Sequence, residues 1–194
     1  MTNTGQVDDF LASAHILAAA VREVLEQRLV DRVVTGRITA AQVKLLQLVA
    51  ITEEYTLSEV ASFLDVSNAA ASKGVDRLVR LGLLRRAEDT VDRRNIHLSL
   101  TPAGRRLVKQ HESARRAKLD QIFGGMAMEE LQRASELLDR ISARFVDHAS
   151  GPNEPCLKCG VYFREECRVR ELTGRRCLYQ TPARKTAERN GLCV

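Results

Sequence analysis

Five cysteines occur in this 194-residue chain, and four of them fall within 22 residues: Cys156, Cys159, Cys167 and Cys177. Their spacing is C-x2-C-x7-C-x9-C, and no cysteine precedes Cys156. Thiolates at this density point to a shared metal centre. Four of them can complete the tetrahedral shell of one Zn2+ ion, or give one ligand to each iron of a [4Fe-4S] cluster. Either way there would be one centre per subunit.

The two metals divide the observations. Cys156-Leu157-Lys158-Cys159-Gly160 has the form of a zinc knuckle, in which the glycine lets backbone N–H groups turn towards the thiolates. Cys167 and Cys177 stand nine residues apart and form no second knuckle, whereas zinc sites usually pair two. One C-x2-C followed by two isolated cysteines is also a common cluster-binding arrangement. Apolar neighbours (Leu157, Val161, Tyr162, Phe163, Val169, Leu172, Leu178) would shield a cluster from water. Arg164, Arg168, Arg170, Arg175 and Arg176 would offset its negative charge. A third reading is a thiol switch that forms disulfides on oxidation. The cluster ranks first here and zinc second. Cys193 is read as a free thiol near a frayed terminus. His15, His97, His111 and His148 are scattered and are read as packed or surface residues rather than ligands.

The rest of the chain must position this segment. A long amphipathic helix is predicted from about Val7 to Val33, with Phe10, Ala14, Leu17, Val21, Val24 and Leu25 at three- and four-residue steps. Thr39 is a predicted N-cap for a second helix to about Ile51. Thr56 caps a short helix carrying Leu57, Val60, Ala61 and Leu64. Asp65 and Val66 turn, and Ser67 caps the next helix. Ala71, Val75, Leu78, Val79 and Leu81 are assigned to its inner face, and Gly82 ends it. Two helices joined so tightly form a helix-turn-helix. Beyond Gly82 the pattern becomes strand-like, from Leu83 to Arg85 and again from Asn95 to Leu100, around the charged loop 87–94. That arrangement is a wing. Thr101-Pro102 opens a further helix to Phe123, Gly124-Gly125 breaks it, and Leu131, Ala134, Leu138, Ile141 and Phe145 stripe the last long helix.

Ser150 to Pro155 marks a boundary. Three parts result: 1–149, a winged-helix DNA-binding domain, to which the family resemblance described below adds dimerisation; 150–180, the four-cysteine metal-binding segment; and 181–194, a basic tail. The fold class is mainly α with a small β wing and a small cysteine-rich appendage, and the same resemblance implies that it forms an elongated helical homodimer.

Charge supports a polyanionic partner. The net charge is +5, with +5 in residues 67–106, +4 in residues 150–194 and −4 in the remainder, so positive charge is concentrated in two places. In a helix-turn-helix, small or polar residues at the start of the second helix approach the major groove. Here these are Ser67, Asn68, Ala69, Ser72 and Lys73, with Arg77 one turn further on. Arg93 and Arg94 in the wing would reach an adjacent minor groove.

The stretches TLSEVASFLDVSNAAASKGVDRLVRLGLLRR and DTVDRRNIHLSLTPAGRRL resemble the MarR family of winged-helix transcription regulators. The wing pattern is matched by Asp92-Arg93-Arg94 and by Leu100-Thr101-Pro102-Ala103-Gly104, and the resemblance spans about Val7 to Ala149. It implies a homodimer binding a pseudo-palindromic double-stranded DNA operator. Repression would be relieved by a signal, with a small-molecule effector among the options. The resemblance also implies that Asp92 pairs with and orients a wing arginine. The cysteine segment departs from the family. The expected function is a regulator, a repressor, whose iron-sulfur centre senses redox state, oxygen or iron. The alternative is structural zinc supporting the dimer, a partner contact or DNA.

No nucleophile elbow, phosphate loop or carboxylate pair with convincing spacing is found, so an enzyme is not expected. The polar, acidic N-terminus lacks a signal pattern and no apolar run is long enough to span a bilayer, which gives a cytoplasmic reading.

Overall fold

A computed structural model of the chain describes residues 4–34, 38–51, 54–88, 95–149, 156, 159–175 and 177. The wing tip with Asp92, Arg93 and Arg94, the boundary at 150–155, and residues 178–194 including Cys193 lie outside the described residues.

The opening helix is continuous in direction but not in type. Regular helix α1 (Thr4–Val21) passes into a π-helical segment (Arg22–Gln27) and then into α2 (Arg28–Val33). Sequence periodicity anticipates the length but not the π segment. α3 (Ala40–Ile51) comes next. Thr39 caps it as expected: its hydroxyl accepts from the Gln42 amide at 3.3 Å, and its own amide donates to Gln42 Oε1 at 2.9 Å. α3 has buried residues on most of its sides, Gln42 and Gln47 among them, which marks a helix enclosed by its neighbours. Leu45, Leu46 and Leu48 are fully buried. Each such leucine contributes roughly 1.5–3 kcal/mol relative to exposure.

β1 (Glu54–Thr56) is a short strand absent from the sequence reading. α4 (Leu57–Leu64) starts at a complete capping box between Thr56 and Glu59. Asp65 closes it in the left-handed conformation (φ 55°), a geometry that Asp tolerates better than most residues. α5 (Asn68–Arg80) begins at Ser67, whose hydroxyl accepts from the Ala70 amide. It ends at Gly82 (φ 68°), where the Leu83 amide donates to the Leu78 carbonyl and the Gly82 amide to the Val79 carbonyl. That pair of bonds is a Schellman closure.

β2 (Leu84–Glu88) and β3 (Asn95–Leu100) form the wing strands, and β1 adds to β3, giving the antiparallel order β1-β3-β2. Leu84 pairs with Leu100. Leu84, Leu98 and Leu100 are buried in the same core as α3, α4 and α5. α6 (Pro102–Phe123) starts with the Thr101 cap and Pro102 in its first turn, and α7 (Met128–Ala149) begins beyond the Gly124-Gly125 break.

The cysteine segment folds back on this frame. A 3-10 turn (Gly160–Tyr162) touches α3, and α8 (Arg168–Thr173) packs along α7. Cys159, Phe163 and Cys177 lie against the main hydrophobic core.

The start of α6 is held unusually close to the end of the helix-turn-helix. Thr101 Oγ1 donates to the Gly82 carbonyl at 2.6 Å, and a Cβ on Gly104 would stand 2.2 Å from the Leu83 carbonyl oxygen. That contact explains physically why the wing motif ends in glycine. Gly104→Ala is expected to cost about 1–3 kcal/mol, as overpacking against backbone does. Urea unfolding monitored by circular dichroism measures it, and an unchanged midpoint would contradict the close approach.

Candidate nucleic-acid interface and metal centre

α5 turns one face inward. Ala71, Val75 and Leu78 are buried. Val79 and Leu81, assigned to the inner face from sequence, are instead exposed. The reason is helical phase: Val79 sits about 100° round the helix from Leu78. Ala69, Lys73, Asp76, Arg77 and Arg80 occupy the outer face, with Asn68 exposed at the helix's first position and Ser72 half-buried at the margin. Ala69, Lys73 and Arg77 are therefore brought together on an open surface, with Asn68 at its N-terminal end. Ser67 is exposed too, but its hydroxyl is used in capping, so it holds the helix end rather than offering a vacant acceptor.

Asp76 lies among these cations. Its Oδ1 is 3.4 Å from Arg86 Nη1 on β2, and its backbone carbonyl accepts from Arg80 Nε at 3.4 Å. The Arg86 pair is exposed and adds little stability. Its effect is to direct Arg86 towards α5. The surface can place small residues against a duplex at the helix N-terminus and cations along its flanks.

The described cysteines are thiols rather than disulfides, and all four are half-buried. Cys156 and Cys177 sit side by side as an isolated parallel bridge between their backbones. Burial pushes the Cys159 thiol up to about 12, and Cys177, Cys156 and Cys167 add repulsion in that order. Sequence positions spread over 22 residues are thus drawn into one electrostatic neighbourhood. A buried thiol of this kind is a poor nucleophile, which disfavours Cys159 as the attacking group of a thiol switch. Among the described residues, however, no group of three or more His, Cys, Asp or Glu side chains is arranged to hold a metal ion. Around one zinc ion four sulfurs would lie about 3.8 Å apart, from a Zn–S bond of about 2.3 Å. The thiols share a neighbourhood without that tight grouping.

Next to the cysteines is a set of buried polar residues that sequence reading did not single out. A narrow crevice, almost filled by side chains, is lined by Leu25, Glu26, Val30, Ala40, Val43, Lys44, Gln47, His111, Arg115, Val161 and Tyr162. Lys44 Nζ is 2.7 Å from Glu26 Oε2, and the Tyr162 hydroxyl donates to Glu26. The Arg115 guanidinium lies 5.6 Å from the Tyr162 ring centroid, within cation–π range. Arg115 Nη2 is 3.4 Å from Glu112 Oε2, and Glu112 Oε1 accepts from Gln47 Nε2 at 3.2 Å. Gln47 Nε2 is also 3.5 Å from His111 Nδ1. Two signals were present in the sequence: Gln47 interrupts the apolar run of α3, and His111 falls on the buried stripe of α6 three residues after Val108.

The fold and this reading surface define a winged helix-turn-helix protein. Within that class, the MarR family profile matches residues 38–96, the reading head. The chain is 23% identical over 135 residues to the HTH-type transcriptional repressor MdtR of Bacillus subtilis, covering 70% of this chain and 87% of the relative. A MarR family protein from Bacillus stearothermophilus has the same fold, with a TM-score of 0.64 at 19% identity over 75% of this chain and 99% of that one. Streptococcus pneumoniae FabT, solved in complex with DNA, aligns with a TM-score of 0.55 at 21% identity over 76% of this chain and all of its own. The family match ends at residue 96, well before Cys156.

Desolvation lowers the His111 pKa below the ordinary histidine value; Glu112 opposes this and Arg115 reinforces it. The folded chain then binds fewer protons here than the unfolded chain. Stability from this group is present above about pH 6.5 and is lost as pH falls below it. His111→Gln is expected to flatten the loss of thermal midpoint between pH 7.5 and 5.5. A parallel loss in both proteins would remove His111 as the cause.

Proposed function

We propose that the chain is a DNA-binding transcription regulator, a repressor, that acts as a homodimer and carries an iron-sulfur centre on Cys156, Cys159, Cys167 and Cys177. The observation that carries the DNA reading is the outer face of α5, where Asn68, Ala69, Lys73 and Arg77 stand exposed on a MarR-type frame. The DNA complex of FabT supports placing α5 in the major groove. Arg93 and Arg94, oriented by Asp92, would extend the contact to the minor groove. A regulator of this kind binds its partner rather than transforming a substrate.

Dimerisation is supported by apolar side chains that the single chain leaves in water. Leu11, Ile16 and Leu17 on α1 and Leu137, Leu138 and Phe145 on α7 are exposed, Ile16 by 68% and Phe145 by 58%. Stripes of this size on long helices are covered in stable proteins. A two-fold dimer would pair them with themselves and fix the separation of two reading heads on a pseudo-palindrome. Among the described residues no helix is long and apolar enough to cross a membrane.

The metal assignment rests on the thiols. Four share one neighbourhood, yet no three are grouped tightly for a single ion. The cluster is favoured over zinc on the spacing, because Cys167 and Cys177 form no second knuckle. When bound, a cluster supplies one-electron redox chemistry and sensitivity to oxygen. The chain's part is to hold the thiols half out of water and to dock them on the core through Cys159, Phe163 and Cys177.

Two measurements test the reading. Protein purified without oxygen should be brown, with about four irons and four labile sulfides per chain, and Cys167→Ser should lose both. Colourless protein with one zinc per chain would sink the cluster and leave the zinc alternative. On duplexes recovered by selection from a random pool, Lys73→Ala should weaken binding uniformly and reduce the salt slope by about 1. No selected duplex, or no change in slope, would overturn the proposed α5 contact.

A further inference from the structure

Tyr162 stands three positions after Cys159, and one hydrogen-bonded turn joins them. The Tyr162 amide donates to the Cys159 carbonyl at 3.0 Å, closing a single 3-10 turn. Cys159 packs on the main core, while Val161 and Tyr162 line the crevice described above. That crevice is bounded by the π segment and α2 on one side, by α3 on another and by α6 on a third. These elements join the dimerisation region to the reading head, because α3 also packs on α4, α5 and β3.

The turn is bonded to its surroundings on two sides. Tyr162 donates to Glu26, which Lys44 of α3 also grips at 2.7 Å. Its ring meets the Arg115 guanidinium of α6 at 5.6 Å. Burial, and then the charge of Glu26, raise the Tyr162 pKa, so the hydroxyl remains a donor at neutral pH. Removing the ring would leave Glu26 and Arg115 facing vacated space and expose part of α3. Beneath the ring, His111 Nε2 and Arg115 Nε are buried without a hydrogen-bond partner. A further anchor ties the segment to α7, where Arg164 Nη2 lies 2.6 Å from Asp139 Oδ1.

We propose that the Val161–Tyr162 turn is a built-in occupant of the crevice between the dimerisation helices and the reading head. It is a positioning element through which the order of the cysteine segment sets the separation of the two α5 helices. Tyr162 touches no DNA. It acts through Glu26 of the π segment, which Lys44 of α3 grips, and through Arg115 of α6. The proposal rests on the DNA-regulator reading above for its output, but the docking of Tyr162 has its own readout.

The experiment uses the full chain, purified without oxygen, and compares wild type with Tyr162→Ala, Tyr162→Phe and Cys159→Ser. Hydrogen–deuterium exchange is followed in peptides covering 40–51 and 102–123, and affinity is followed on the selected duplexes. Tyr162→Ala should speed exchange in both peptides at least fivefold and change DNA affinity at least tenfold. Tyr162→Phe keeps the ring and loses only the bond to Glu26, so it should fold like the parent and shift both readouts less. Cys159→Ser should reproduce the Tyr162→Ala exchange pattern. Unchanged exchange in Tyr162→Ala would overturn the docking. Faster exchange with unchanged affinity would overturn the coupling to DNA. A Cys159→Ser variant with wild-type exchange would overturn the relay from the cysteines. If wild type binds no selected duplex, the DNA-regulator reading falls together with this coupling, while the exchange arms still decide the docking.

Discussion

Burial of α3 on every side is the constraint on which the other elements depend. Leu45, Leu46 and Leu48 have no solvent-facing side. Different neighbours must therefore supply the cover. α4, α5 and β3 cover it from the reading head, α6 from the dimerisation region and the 3-10 turn from the cysteine segment. A helix enclosed in this way cannot shift without disturbing several partners together, because close-packed interiors deform in discrete steps rather than smoothly. Gln47, one of the polar residues on α3, reinforces this by bonding to Glu112 and approaching His111. Reading head and tail are thereby mechanically joined although more than 80 residues separate α5 from Tyr162.

What was legible in the sequence was mostly local. Thr39, Thr56, Ser67 and Thr101 all cap the helices expected of them, because a cap depends on residues only three positions apart. Gly82 and the Gly124-Gly125 break were equally readable. The π segment was not, since its apolar spacing fits an ordinary helix almost as well. β1 was hidden because three residues pairing with a strand some forty positions away leave no periodic trace. Val79 and Leu81 were assigned to the wrong side of α5 because a hydrophobic residue can sit one step beyond a buried stripe.

The candidate sites divide in the same way. Ala69, Lys73 and Arg77 share a face as helical phase requires, while Asn68 is exposed because it opens the helix. The cysteines could be counted in the sequence, and their convergence was expected from that count. Their docking could not be read, because it is made by Tyr162 with Glu26 and by Arg164 with Asp139, pairs remote in the chain. A tail that sequence composition presents as an appendage is seated in the core through Cys159, Phe163 and Cys177.

The π segment between Arg22 and Gln27 sets the phase of the first helix. Before it, α1 buries none of its residues; within and after it, Leu25, Leu29 and Val30 point into the protein. A π turn accommodates one extra residue, so α1 is rotated by about 100° relative to α2. That single added residue works as an angular offset between the surface offered outward and the surface that seals the crevice. The direction in which α1 presents Leu11, Ile16 and Leu17 is thus encoded as one residue of helical register.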